Sequence, residues 1–200
     1  ERAVVIRHGI PPAPNCGFVY GVHNGLPAGF CFLRYLGQPI LGTVGFNFPW
    51  KNYDRLCEVC REMGWAQVIL SNDATFDDEW RWRSLNPWML VIRKFLPQAE
   101  AIQYLMSCSA TAFCYECANN GTSGAIRQGI AARKPVYAFQ GCRQFRDLLI
   151  AEQQEEPGPI IRWVQDFNGL RVALKRRPLP LIDPGIVYLA ERDSWDRQAG

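Results

Sequence analysis

The stretch best equipped for chemistry is Tyr115-Glu116-Cys117-Ala118-Asn119-Asn120-Gly121-Thr122-Ser123-Gly124-Ala125-Ile126-Arg127-Gln128. It reads as a strand end, a polar Gly-rich loop and a helix start, with Thr122 or Ser123 as the cap. At such a junction free backbone N–H groups converge where the helix dipole is positive, which makes an anion site. A phosphate or diphosphate would bind there without a basic side chain, and Arg127 in the first turns adds charge. An ordinary capped helix after a turn has the same composition, so this loop alone is a weak signal.

A second loop, Gly45-Phe46-Asn47-Phe48-Pro49-Trp50-Lys51-Asn52-Tyr53, follows a short apolar run. Lys51 stands next to a helix start, where the dipole disfavours a cation unless it faces an anion. A solvent-facing lysine at a helix terminus is the plainer reading of that residue by itself. Two such loops at strand ends of one parallel sheet would hold a diphosphate from two sides.

Cys57-x2-Cys60 and Cys114-x2-Cys117 have the spacing of zinc ligands. Neither pair sits in a Gly-containing knuckle, and the first falls inside a helical pattern. Buried small apolar side chains are the expected role, with no metal bound. Eight cysteines in 200 residues fall below the density of a disulfide scaffold, so free thiols in a reducing compartment, hence a cytoplasmic protein, are expected. His8 and His23 each stand alone and suggest no catalytic base.

The elements that must position these loops alternate. Ile40 to Phe46, Gln67-Val68-Ile69-Leu70, Met89-Leu90-Val91-Ile92, Ala110 to Tyr115, Pro135 to Phe139 and Ile160 to Val164 read as strands. Their runs are continuously apolar, as strands covered on both faces require. Between them, Tyr53, Leu56, Val59, Cys60 and Met63 recur at helical spacing up to Gly64. Ala99, Ile102 and Leu105 or Met106 mark a helix over Gln98 to Met106. Another helix runs from the Gly121-Thr122-Ser123-Gly124 turn to about Arg133, and a short one spans Phe145 to Glu152. Asp77 to Trp88 reads only as an acidic, tryptophan-rich stretch. The pattern predicts an α/β domain, Rossmann-like, with a mostly parallel sheet and helices on both faces. Such sheets bind ligands at the carboxyl ends of their strands.

Three segments are expected. Residues 1–38 form an entry segment, with a short strand at Val4-Val5-Ile6 and an irregular excursion; residues 39–177 form the ligand-binding domain; residues 178–200 form a tail with a helix over Ile186 to Gln198. A hydrophobic fraction of 48% rules out disorder, and a net charge of +3 spread along the chain gives no footprint for nucleic acid. No apolar stretch reaches the roughly 20 residues of a membrane span.

Several motifs in order carry a resemblance: Gly45…Pro49-x-Lys51, then Arg93-Lys94-Phe95-Leu96-Pro97, then Thr122-Ser123-Gly124-Ala125-Ile126-Arg127, then Ala131-Ala132-Arg133-Lys134-Pro135-Val136. Together they resemble the carboxyl-terminal half of GT-B glycosyltransferases of the retaining, group 1 type. The opening Ile6-Arg7-His8-Gly9-Ile10-Pro11 is similar to the segment entering that half, and Ser194-Trp195 to its closing helix. The resemblance implies a nucleotide-sugar donor domain whose only small-molecule requirement is the donor substrate. It implies a diphosphate on Lys51 and Gly121 to Gly124, with Gly45 and Phe46 in the same loop, and a base near Phe95 and Leu96.

Two departures from the family stand out. Its lysine is followed by Gly, here Asn52, and its two glutamates eight apart are not present. Matching Pro135-Val136 puts Gln128 where the second glutamate would meet the ribose hydroxyls, while Glu116, twelve residues before it, stands in for the first, and Asn120 is counted with the donor-binding loop. The resemblance also implies a preceding acceptor domain in the parent protein, so no catalytic residue is assigned within these 200 residues. A non-catalytic nucleotide- or sugar-phosphate-binding module of the same fold is the alternative.

Overall fold

Tyr53, Leu56 and Cys60 recur at intervals of three and four, and that spacing builds the first long helix of the computed structural model. The structure describes residues 22–23, 26–27, 37–116, 123–146, 148–149 and 161–176. Val4–Ile6 and the tail helix over 186–198 lie outside them, as does most of the excursion, of which Val22–His23 pairs antiparallel with Leu26–Pro27.

The order from residue 40 is β1 (Ile40–Val44), a 3-10 turn (Pro49–Lys51), α1 (Tyr53–Met63), β2 (Ala66–Leu70), α2 (Phe76–Leu85), β3 (Met89–Ile92), α3 (Gln98–Met106), β4 (Ala110–Phe113), α4 (Gly124–Ala131), β5 (Val136–Phe139), a 3-10 turn (Arg143–Phe145), β6 (Arg162–Val164) and α5 (Phe167–Lys175). The strands form one six-stranded parallel sheet in the order β3-β2-β1-β4-β5-β6. The expected Rossmann-like α/β architecture is present, and the strand order reverses between β1 and β4.

Alternate residues of each strand feed two separate layers. Val44, Val68, Leu70, Phe113, Val136 and Ala138 share a core with Tyr104 and Leu105 of α3 and Ile126 and Ile130 of α4. Leu41, Ala112, Tyr137, Phe139 and Val164 face the opposite way, packing with Leu56 and Cys60 of α1 and Leu170 and Leu174 of α5. On that same side Ile69, Met89 and Val91 meet Tyr53, Cys57 and Trp82. Both faces are covered, which is why the strands read as unbroken apolar runs.

Several local expectations are corrected. The acidic stretch is a helix: Thr75 Oγ1 accepts from Asp78 N at 3.1 Å and the Asp78 carboxylate accepts from Thr75 N at 2.9 Å, a capping box that starts α2. Trp82 is its one buried residue, and its Nε1 donates to Asp54 of α1 at 2.7 Å. In α3 the buried stripe is Ala101, Tyr104 and Leu105, while Ala99 and Met106 are exposed. Leu105 and Cys108 fill the space that a side chain on Gly42 would take. β1 stops at Val44, since Gly45 turns the chain at φ 127°. α5 had no place in the alternation read above; its signals were Asp166, whose carboxylate caps Gly169 N at 2.8 Å, and Phe167, Leu170 and Leu174 beyond it.

Candidate functional site

The switch point between β1 and β4 is where a parallel sheet of this order leaves a crevice, because the chain departs to opposite faces on its two sides. Both loops singled out in the sequence open there. Gly45 N donates to Leu70 O at 2.9 Å and Tyr53 Oη donates to Gly45 O at 3.0 Å, fixing the turn after β1. The next turn is tied to the strand beside it: Asn52 Nδ2 donates to Cys114 O at 3.2 Å, and Glu116 N donates to Trp50 O at 2.8 Å.

Asn52 explains one departure from the glycosyltransferase pattern. It lies in the left-handed region at φ 57°, ψ 39°, where Gly is favoured and Asn is the best-tolerated substitute. The residue after Lys51 must adopt that conformation to join the 3-10 turn to α1, and Asn does so while its amide bonds the neighbouring loop.

Lys51 is not the solvent-facing lysine that its position allows. It is 5% exposed, and its ammonium lies 5.7 Å from the ring centre of Phe48, 5.5 Å from Trp50 and 5.2 Å from Tyr115. Burying a cation costs several kcal/mol, and aromatic faces recover only part of that. A side chain on Gly45 would collide with Lys51 Nζ and touch Ala125 of α4 at 3.4 Å. Lys51 and the first turn of α4 therefore both approach one point, the side-chain position of Gly45.

Ser123 occupies the cap position of α4, yet its side chain makes no capping bond. Its hydroxyl shares a hydrogen bond with Tyr115, whose phenol is pushed far up by burial and by the nearby Tyr53, with Ser123 pulling the other way. The expectation that Ser123 caps the helix is thus replaced by a role in holding Tyr115. Gly124 is exposed, with open space where a side chain would project. The helix begins at Gly124 and stops at Ala131, two residues short of the expected end, and Arg133 turns left-handed at φ 55°.

The remaining candidates fall at graded distances from this point. Glu116 follows β4 and pairs with Arg55 at 3.6 Å; Arg55 also lies over the Phe167 ring at 4.5 Å. Arg127 and Gln128 are half-buried on α4, and Gln128 Oε1 is enclosed without a hydrogen-bond partner. Phe46 is exposed beside Phe48 at 5.8 Å between ring centres. Phe95, 79% exposed, and Leu96 follow β3, two strands from β1 and so about 10 Å along the sheet. Asn120, Gly121 and Thr122 lie outside the described residues.

Trp50 and Tyr115 complete the aromatic enclosure of Lys51, a role that local sequence pattern does not announce. The density of rings in Phe46, Phe48, Trp50 and Tyr53 was the available signal. Among the described residues no three His, Cys, Asp or Glu side chains gather as a metal site. Cys60 and Cys114 pack in one apolar cluster, Cys57 packs in another, and burial raises all three thiols. Cys117 lies outside the described residues.

Solved structures decide the fold. WaaG, a glycosyltransferase involved in lipopolysaccharide biosynthesis, superposes with TM-score 0.57 at 15% identity over 84% of this chain and 48% of its own. This is the fold of a GT-B glycosyltransferase domain. Sucrose-phosphate synthase from Thermosynechococcus elongatus matches this GT-B domain with TM-score 0.56 at 15% identity, covering 81% of it and 43% of the synthase. Anabaena HepE, solved with UDP and glucose, matches with TM-score 0.54 at 16% identity over 83% and 48%. The GT-B domain described here spans less than half the length of each of these structures. No family model and no curated protein matches the sequence. Among the described residues no helix is long and apolar enough to cross a membrane.

Proposed function

We propose that this chain is the nucleotide-sugar-binding half of a glycosyltransferase, with the donor's diphosphate held between Lys51 and the first turn of α4. The observation that supports it most is that Lys51 Nζ and Ala125 both lie against the point where a side chain on Gly45 would project, at the switch point of the sheet. An ammonium and a helix N-terminus are both positive, and a diphosphate lying between them is attracted by both. Gln128, one turn into α4, lies where the family's ribose-binding glutamate would fall, and its enclosed Oε1 has no partner among the described residues. HepE was solved with UDP, in keeping with such a ligand. The acceptor site and the group that assists transfer belong to a further domain of the parent protein.

A non-catalytic nucleotide-binding module of the same fold has two points in its favour: the neutral Gln128 and the engagement of Glu116 by Arg55. Calorimetric titration with UDP, ADP and GDP tests the shared core of both readings. Binding of at least one, reduced about tenfold or 1.4 kcal/mol by Lys51→Met, is expected. Failure of all three to bind removes the donor site. Transfer by the parent-length protein then separates enzyme from module.

A further inference from the structure

The loop that carries Lys51 leaves β1 with little to hold it. Gly45 turns the chain at φ 127°, and the rings of Phe46 and Phe48 are exposed. Inside the loop Phe48 N donates to Phe46 O and Lys51 N to Phe48 O, both at 2.9 Å, bonds that shape it without fixing it to the sheet. Among the described residues, both hydrogen bonds that tie residues 46–48 to a neighbouring element are made by Asn47. Its backbone N–H donates to Asp73 Oδ1 at 2.8 Å, and its side chain bonds the Asp78 carboxylate.

Asp73 is itself anchored. It lies in the connection from β2 to α2, where the buried Ser71 donates its hydroxyl to the same Oδ1 at 2.8 Å. Ser71 N in turn donates to Ile92 O of the edge strand β3 at 3.0 Å. One carboxylate oxygen thus joins the sheet on one side to the Lys51 loop on the other. What it holds reaches Lys51 through Phe48. The Phe48 carbonyl accepts from Lys51 N, and its ring centre lies 5.7 Å from Lys51 Nζ and 5.3 Å from the stacked ring of Trp50. A shift at Asn47 therefore moves one wall of the enclosure around the ammonium.

The charge of Asp73 does not suit an anion site. Burial pushes the Tyr53 phenol up, and the Asp73 carboxylate adds to that rise, while the Tyr53 hydroxyl donates to Gly45 O at 3.0 Å. The field of Asp73 is felt beside Gly45, and it would repel a phosphate there. What Asp73 supplies is an acceptor oxygen in a fixed place.

Resting on the donor reading above, we infer that Asp73 is a positioning residue: its Oδ1 clasps Asn47 N and holds the Lys51 loop in the shape that receives the diphosphate. A loop fixed before binding loses less freedom on binding, so the clasp raises affinity for the group that Lys51 meets and not for the nucleoside.

Calorimetry with UDP, ADP and GDP, each beside its nucleoside, tests this in the unmodified protein, Asp73→Asn and Asp73→Ala. The two variants lose the same charge, but only asparagine keeps a carbonyl oxygen to accept from Asn47 N. For the diphosphate that binds, Asp73→Ala is expected to weaken binding about fivefold, the weight of one hydrogen bond. Asp73→Asn is expected to bind it at least as tightly as the unmodified protein, and nucleoside affinity to be the same in all three. Equal diphosphate affinities in the two variants overturn the clasp and leave Asp73 a surface charge. An equal loss of nucleoside and diphosphate in Asp73→Ala overturns it too, because a loosened fold acts on both. Where the melting temperature shows that Asp73→Ala does not fold, Ser71→Ala removes the anchor and keeps the carboxylate; it is expected to weaken the diphosphate alone, and an unchanged affinity overturns the clasp. Failure of every diphosphate to bind the unmodified protein overturns the donor reading and this inference with it.

Discussion

The ammonium of Lys51 fills the space that a side chain on Gly45 would need. Gly45→Ala must therefore displace Lys51, and it also forces a Cβ onto φ 127°, which costs about 1–3 kcal/mol. Lys51→Met removes the charge but keeps most of the stem among the rings, so it should hold or raise stability. Urea denaturation is expected to show a loss for Gly45→Ala and none for Lys51→Met, while both weaken a diphosphate. Lys51→Met should leave the matching nucleoside unaffected. An equal loss for nucleoside and diphosphate would mean that Lys51 acts through folding.

At the opposite wall, Gly124 faces open space, so Gly124→Val should fold with nearly unchanged melting temperature. Its branched side chain would stand where a phosphate must approach the backbone of the first turn of α4, and binding should fall. Ser123→Ala removes one hydrogen bond to Tyr115, for about 1 kcal/mol of stability and little affinity. The reverse pattern, with Ser123→Ala abolishing binding and Gly124→Val neutral, would move the contact from backbone to side chain.

Acid should loosen the start of α2. Partial burial works against ionisation of Asp78, but hydrogen bonds from the backbone and hydroxyl of Thr75, from Asn47, and the charge of Arg81 bring its pKa below the ordinary 3.8. A carboxylate held lower in the folded state stabilises fully above its unfolded pKa and loses that contribution as pH falls through the folded value. Asp78→Asn is expected to cost about 1 kcal/mol at pH 7. The gap to the unmodified protein should narrow as acid protonates the Asp78 carboxylate, at a pH below the ordinary carboxylate range; a gap unchanged by acid would show that the charge contributes nothing.

Gln67 is fully buried in β2, and neither its Nε2 nor its Oε1 has a hydrogen-bond partner among the described residues. An amide stripped of water without compensation costs about 1–3 kcal/mol. Gln67→Met, close in volume and apolar, is expected to raise the denaturation midpoint. A lower midpoint would show that the amide has a role which the folded chain alone does not explain.

Gly129 marks how closely α4 lies on β4. Any side chain there would strike the Phe113 ring and approach Thr111 Oγ1 within 3.1 Å. Sequence periodicity places the helix after the loop, yet nothing in the order of residues says that the helix rests on that strand at that depth.

What the sequence by itself determined was the alternation of elements and the class of fold. Strands buried on both faces write continuous apolar runs, and α1 writes its stripe at three and four, so both are local signals. The two polar loops were legible for the same reason, since Gly45, Lys51, Ser123 and Gly124 are local turn and cap chemistry. α2 escaped because only Trp82 of its ten residues is buried and its charged faces hide the period, leaving the Thr75–Asp78 box as the sole cue. Only the tertiary structure decided that Lys51 is enclosed by Phe48, Trp50 and Tyr115, that Ser123 serves Tyr115 and not the helix end, and that Arg143 and Glu116 share a cavity. Those relationships join residues up to 64 positions apart, Lys51 to Tyr115 (115 − 51), through strands whose neighbours in space are not neighbours in sequence. Burial and charge pairing at the site depend on that strand order, which no local pattern encodes.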